Sequence, residues 1–230
     1  MLRTPVKMVA AALAAGAVLT ACGPVKLGAA TLMTNGRISS STLSAEVANL
    51  NQNYLKYKGK VQLQYEVSQM PQEVLSWLIR FRVRDQVAAR NGISVTPGQV
   101  DQAMDQINQQ SKSTTTGVSV PLPVLAVANG LPPDMLNDLA RYQAIENVLL
   151  NRLDGGKLPT DPAAQQAISQ QLSAYQCRAA KSLDIRVNPQ WGQLDYAQYS
   201  VIAKPSDLSA DASPSPSPSP SSSVQLTPHC

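Results

Sequence analysis

The sequence predicts a mainly α domain of about five helices, with a small β-sheet that pairs an N-terminal hairpin with a C-terminal strand. Three observations predict it. Apolar residues recur at spacings of three and four in five stretches between residues 41 and 179. An Asn-Gly pair between strand formers precedes the first stretch, and the period changes from 3.6 to 2 after the last. The chain holds a single Phe but abundant Gln, Asn, Ser and Ala, which favours modest helices around a thin core over a large β-sandwich.

The hairpin is expected over 29–39, Ala-Ala-Thr-Leu-Met-Thr-Asn-Gly-Arg-Ile-Ser. Asn35-Gly36 suits a type I′ turn, which requires positive φ at both central residues. A first helix over 41–57 places Leu43, Val47, Leu50, Tyr54 and Tyr57 on one face. The basic run Lys56-Tyr57-Lys58-Gly59-Lys60 ends it and complements the helix dipole; membrane-surface contact is the other reading of this run. A second helix over 71–91 carries the stripe Leu75, Ile79, Val83, Val87 and stops at Asn91-Gly92. Arg80, Arg82, Arg84 and Arg90 decorate it. They are read as a solvated face partly paired with Asp85 and neighbouring acids, with binding of acidic clients or lipid headgroups as the alternative.

Thr96-Pro97-Gly98-Gln99 opens a third helix with an N-cap, a first-turn proline and a capping-box Gln. Val100, Ala103, Met104 and Ile107 form its buried pattern, and the polar run 109–116 ends it. Residues 117–131 are a packed loop or a short helical piece. A fourth helix runs over 132–153, with Met135, Leu139, Tyr142, Leu149 and Leu153 along one side and Asp154-Gly155-Gly156 as its stop. A fifth opens at Thr160-Asp161-Pro162 and buries Ala164, Ile168, Leu172, Tyr175 and Ala179. Leu183-Asp184-Ile185-Arg186-Val187 then alternates as a half-buried strand, residues 188–192 turn the chain, and 196–202 is a weaker extended segment. Ser213 to Ser221 is a strict Ser-Pro alternation, an extended spacer, and 204–230 is expected to be a disordered tail.

The N-terminus reads as an export signal. Arg3 and Lys7 precede an uncharged run from Met8 to Leu19, too short to span a bilayer. Leu19-Thr20-Ala21-Cys22 resembles the bacterial lipobox. That resemblance implies thioether attachment of diacylglycerol at Cys22 and cleavage before it; an ordinary secretory signal with a chance cysteine is the alternative. Residues 1–21 are then the signal peptide, 22–28 a lipid-anchored linker and 29–203 the domain. Two acyl chains give a stable anchor, and no later stretch is long and apolar enough to span a membrane, so the lipid is the expected anchor.

Removing residues 1–21 takes away Arg3 and Lys7 and lowers the formal charge from +4 to +2. That balance points to no nucleic-acid partner. With Cys22 acylated, Cys177 and Cys230 remain, and outside the cytoplasm these two are candidates for a disulfide. Unpaired thiols are the alternative.

A catalytic site of familiar type is not legible. No phosphate-binding Gly-rich loop occurs. Metal clusters lack His and Cys, and a Ser-His-Asp arrangement would need His229, the single histidine, near the last residue. Asp101 and Asp105 are four apart on the third helix but lie off its buried stripe, so an exposed acidic face is expected. Trp191 is expected to pack at a core or an edge, whereas Trp77 fits either core or groove. No enzyme activity, metal or cofactor is expected.

The ordered set of motifs resembles the N-terminal chaperone domain of SurA-like and PrsA-like foldases, in particular their actinobacterial lipoprotein relatives. Thr34-Asn35-Gly36-Arg37-Ile38-Ser39 is similar to the family's opening hairpin, and Asn91-Gly92-Ile93-Ser94-Val95-Thr96 to its helix junction. Val187-Asn188-Pro189-Gln190-Trp191-Gly192 is similar to its closing strand, with Gln190 where Arg is usual. The resemblance covers roughly residues 29–200. Many such foldases carry a parvulin prolyl-isomerase domain whose site uses histidines. This chain has neither the histidines nor the spare length of about 100 residues for one. The resemblance therefore implies a chaperone module alone, lipid-anchored on the extracytoplasmic face of the cell membrane. It would bind unfolded or newly exported polypeptides in a shallow apolar groove between helices. A structural or interaction lipoprotein serving one envelope partner is the rival.

Overall fold

A computed structural model describes residues 28–112, 120–155 and 161–203. The chain is mainly α with small antiparallel β elements, as the sequence predicts. Among the described residues the order is β1 (Ala29–Met33), β2 (Gly36–Ser39), α1 (Ser40–Lys56), α2 (Met70–Arg90), α3 (Pro97–Lys112), α4 (Leu122–Ala128), α5 (Leu136–Asp154), α6 (Pro162–Leu183), β3 (Arg186–Val187), β4 (Gln193–Asp195) and β5 (Ser200–Ile202). Six α-helices stand where five were expected. The added one, α4, is the short helical alternative for the Pro-containing stretch, and it buries Val124, Ala126 and Val127.

Local chemistry sets the helix ends. Ser39 caps α1 by accepting from the Thr42 amide (2.9 Å). The capping box at α3 forms in both directions: the Thr96 amide donates to Gln99 Oε1 (2.8 Å) and the Gln99 amide donates to Thr96 Oγ1 (3.3 Å). Asp161 caps α6 through the Ala164 amide. Gly155 stops α5 in the left-handed conformation at φ 69°. Helix α3 runs to Lys112, into the polar run expected to end it.

α2 is the central helix. Leu75, Ile79 and Val87 are fully buried, and Val83 nearly so. They meet Leu43 and Leu50 of α1, Ile145 and Leu149 of α5, and Ala179, Ala180 and Leu183 of α6 in one cluster. Each fully buried aliphatic side chain of this kind contributes about 1.5–3 kcal/mol. A smaller cluster of Ala126, Leu131 and Met135 packs under Trp77 and Phe81. α6 departs from expectation. Its buried residues are Cys177, Ala179, Ala180 and Leu183, all in the C-terminal part. Ala164, Ile168, Leu172 and Tyr175 are only half-buried, because the main core lies beside the end of the helix.

The sheet has the order β2-β1-β3, so the N-terminal hairpin does pair with a C-terminal strand. Two details differ from expectation. The hairpin turn is Thr34-Asn35, with Met33 opposite Gly36, and neither turn residue has positive φ, so the type I′ turn does not form. A tertiary contact competes with it: the Thr34 amide and hydroxyl both donate to the Leu183 carbonyl (2.7 and 3.1 Å). The strand expected over 183–187 is shorter, because α6 continues through Leu183 and ends at Asp184 with φ 45°. The expected alternation of faces survives, with Leu183 and Ile185 buried and Asp184 and Arg186 exposed.

Asn188 ties the two ends of the domain together. Its amide donates to the Ala30 carbonyl (2.9 Å), its side chain donates to the Ala29 carbonyl (3.1 Å), and its Oδ1 accepts from Gln190 (3.2 Å). β4, which periodicity does not reveal, pairs with β5 as a separate hairpin. That hairpin docks on α2 through Ser76, whose Oγ accepts from the Val201 amide (2.7 Å). Gly192 is required there: at φ 129°, a Cβ would lie 2.3 Å from the Ile202 carbonyl oxygen.

Candidate functional site

Helix α5 presents two different polar faces. One meets α3 across a surface groove of about 350 Å³. Gln99, Gln102 and Gln106 reach it from α3 at i, i+3, i+7, and Asn147 and Asn151 from α5 at i, i+4. Ala144, Val148 and Leu150 supply its apolar lining. Gln143 Nε2 donates to Asn147 Oδ1 (3.1 Å), and Asn147 Nδ2 donates to Gln106 Oε1 (2.9 Å), so a carboxamide relay crosses from helix to helix. Each carboxamide both donates and accepts. A row of them over an apolar floor is chemically matched to peptide groups, which do the same.

The other face of α5 meets α2 at Arg84. The reading of the four α2 arginines as a solvated set fails there, because Arg84 is 2% exposed. Its Nη2 donates to Tyr142 Oη (2.6 Å) and to Glu146 Oε2 (3.1 Å), and the guanidinium lies 4.0 Å from the centroid of the Tyr142 ring. Arg84 Nε and Nη1 have no hydrogen-bond partner among the described residues. The expected partner of these arginines, Asp85, pairs with Arg141 of α5 instead (3.2 Å). Arg82 and Arg90 are exposed, while Arg80 lies 5.1 Å from the Trp77 ring. Sequence periodicity did carry a signal for Arg84: position 84 continues the line Trp77, Phe81, Ala88 along a second apolar face of α2.

Two shallow depressions of about 290 and 330 Å³ flank the closing strand and share Val187 and Pro189. The first is also lined by Ile185, Leu194 and Tyr196, the second by Ala29 and Leu32. Tyr196 Oη donates to the Ile185 carbonyl (3.1 Å). Burial, then the nearby Asp184 carboxylate, raises the Tyr196 pKa above the usual tyrosine value, which keeps the hydroxyl a neutral donor.

An acidic group closes the junction of α1 with the start of α5. Burial raises the Glu46 pKa, and the Asp134 carboxylate, which shares a hydrogen bond with it, and Asp138 add to the rise. Asn49 Nδ2 donates to Asp134 Oδ2 (2.9 Å). Glu73, in the first turn of α2, is likewise raised by burial, with Arg80 opposing.

The residues singled out from sequence fall as follows. Cys22 and Cys230 lie outside the described residues, as do the signal peptide and the tail. Cys177 is 5% exposed on α6 and is disulfide-bonded. Asp101 and Asp105 are exposed, as expected. Trp77 belongs to the smaller core, with Nε1 donating to the Asn129 carbonyl (2.9 Å), and Trp191 packs half-buried on the main core. Lys56, Lys58 and Lys60 are exposed at the end of α1. Among the described residues no helix is long and apolar enough to cross a membrane, and no three metal-ligating side chains converge. The groove carboxamides are the feature that sequence reasoning missed; their i, i+3, i+7 and i, i+4 spacing was the available sign. No protein-family model, curated protein or solved structure matches this chain.

Proposed function

We propose that the chain is a lipid-anchored lipoprotein, attached through Cys22 on the extracytoplasmic face of the cell membrane. It binds unfolded or newly exported polypeptide segments as a chaperone-like module, without prolyl isomerase activity. The observation that carries the reading is the α3–α5 groove. Carboxamides from Gln102, Gln106, Asn147 and Asn151 over Ala144, Val148 and Leu150 can pair with the main chain of an extended segment whatever its side chains. The resemblance of the ordered motifs to SurA-like and PrsA-like chaperone domains points the same way. The test is aggregation suppression by a soluble form starting at residue 23, against several chemically unfolded clients. Near-stoichiometric suppression of unrelated clients is expected.

A second reading has its own support. Apolar stripes of α1, α2 and α5 close into one core, and the large apolar side chains left exposed among the described residues are scattered: Leu55, Val67, Tyr196 and Ile202. That closure favours a structural or interaction lipoprotein with one envelope partner. Failure to protect any client, together with recovery of a single stoichiometric partner from membranes, would establish it and exclude the first.

A further inference from the structure

Cys177 is disulfide-bonded on the buried side of α6. The chain has three cysteines, so the bond runs to Cys22, to Cys230 or to a second copy. Cys22 closes Leu19-Thr20-Ala21-Cys22, and in a lipoprotein its sulfur is consumed in a thioether to diacylglycerol. A thioether sulfur has no thiol to oxidise. We infer that Cys177 is bonded to Cys230, so that the C-terminal end of the chain returns covalently to the helical core. The inference rests on the lipoprotein reading of Cys22.

Chain length permits the return. The last described residue, Ala203, directly follows β5, which docks on α2, and α6 packs on the same helix. The 27 residues from 204 to 230 can span about 90 Å when extended, several times the radius of a domain this size. The Ser-Pro tract of 213–221 resists collapse, at about 3.1 Å of rise per residue in the polyproline conformation. The bond forms when the two thiols lose two protons and two electrons to the disulfide of an extracytoplasmic thiol–disulfide oxidoreductase, which leaves as its dithiol.

Tryptic mapping of the full-length lipoprotein, extracted from membranes under non-reducing conditions with free thiols blocked, tests this. The peptide 158–178 holds Cys177, 187–230 holds Cys230 (trypsin passes over Lys204-Pro205), and 22–26 holds the mature N-terminal cysteine. The expected result is 158–178 joined to 187–230, separable by reduction, with 22–26 carrying the diacylglycerol mass. A 158–178 peptide that is thiol-blocked, or joined to a second copy of itself, while 22–26 is lipid-modified overturns the pairing and leaves the lipoprotein reading intact. Joining of 158–178 to the peptide bearing Cys22 overturns both. The expected linkage with an unmodified Cys22 supports the pairing and removes the lipoprotein reading.

Discussion

Two sides of helix α5 solve opposite problems with polar side chains. Toward α2, Tyr142 and Glu146 meet a single charge, Arg84, that is almost wholly removed from water. Toward α3, Asn147 and Asn151 belong to an open groove of neutral carboxamides. A buried guanidinium has a steep desolvation cost and tolerates few arrangements of its partners, so it fixes how α2 and α5 sit. Neutral amides exchange water for other amides at little cost, so they suit a surface that changes partners. One side of the helix is a closed charged contact and the other an open row of neutral amides, which under the proposed reading would serve exchange.

The largest effect should come from breaking the charged side. Arg84→Ala strands Glu146 and leaves a hole against Tyr142, and should lower the unfolding free energy by about 3 kcal/mol, read from urea denaturation. The double change Arg84→Met with Glu146→Leu should recover most of that loss, because an apolar pair of similar volume has no desolvation cost to offset. Loss without recovery would mean that the contrast between the two sides of α5 is wrong, and that Arg84 acts through something other than the pair. On the carboxamide side, Asn147→Ala removes one accepted and one donated bond from a half-exposed relay. A destabilisation of about 1 kcal/mol is expected by the same measurement.

The contrast also explains what sequence could reveal. The starts of α3 and α6 and the stops of α2 and α5 were legible, because Thr96, Asp161, Gly92 and Gly155 act through local backbone geometry, whereas α3 and α6 run past their expected ends. The turn at Thr34-Asn35 was not, because its competitor is the Leu183 carbonyl, 149 residues away. β4 was not legible either, since its pairing depends on Ser76 holding Val201 and on the close approach at Gly192. Arg84 shows the same limit within one helix. Its spacing continues the Trp77–Phe81–Ala88 face but its formal charge reads as surface, and the partners that make it core, Tyr142 and Glu146, come from another helix. For the groove, the carboxamides were visible as composition and as spacing on each helix. That α3 and α5 face one another belongs to tertiary packing.

At the start of α5 the two strategies meet, and pH separates them. Glu46 is raised above the ordinary carboxylate value by burial and by Asp134, so its charged form is less favoured folded than unfolded. Such a group contributes stability below its ordinary pKa, and that contribution is lost as pH rises through the higher folded value. The protein should therefore gain stability as pH falls from 7 toward the ordinary glutamate value of about 4.3. Glu46→Gln should be more stable than the parent at pH 7, and its urea midpoint should change less between the two pH values. A parent midpoint that falls on acidification in this range, with no difference in the variant, would remove Glu46 from the account.

The smallest expected change in stability is the most informative about function. Asn151 is exposed and Gln102 is exposed, both on the groove, and neither is part of the Gln143–Asn147–Gln106 relay. The double variant Gln102→Ala with Asn151→Ala should stay within about 0.5 kcal/mol of the parent, as surface substitutions usually do. If the groove pairs with client main chain, the same variant should lose aggregation suppression several-fold while its thermal midpoint is unchanged. Arg84→Met with Glu146→Leu should do the reverse and leave suppression intact, because that pair faces α2 and not the groove. A groove variant that protects clients as well as the parent would move the binding surface elsewhere, with the apolar depressions beside Val187 and Pro189 next in line. Parallel measurement of the two double variants therefore tests directly whether exchange and fixation are divided between the two sides of one helix.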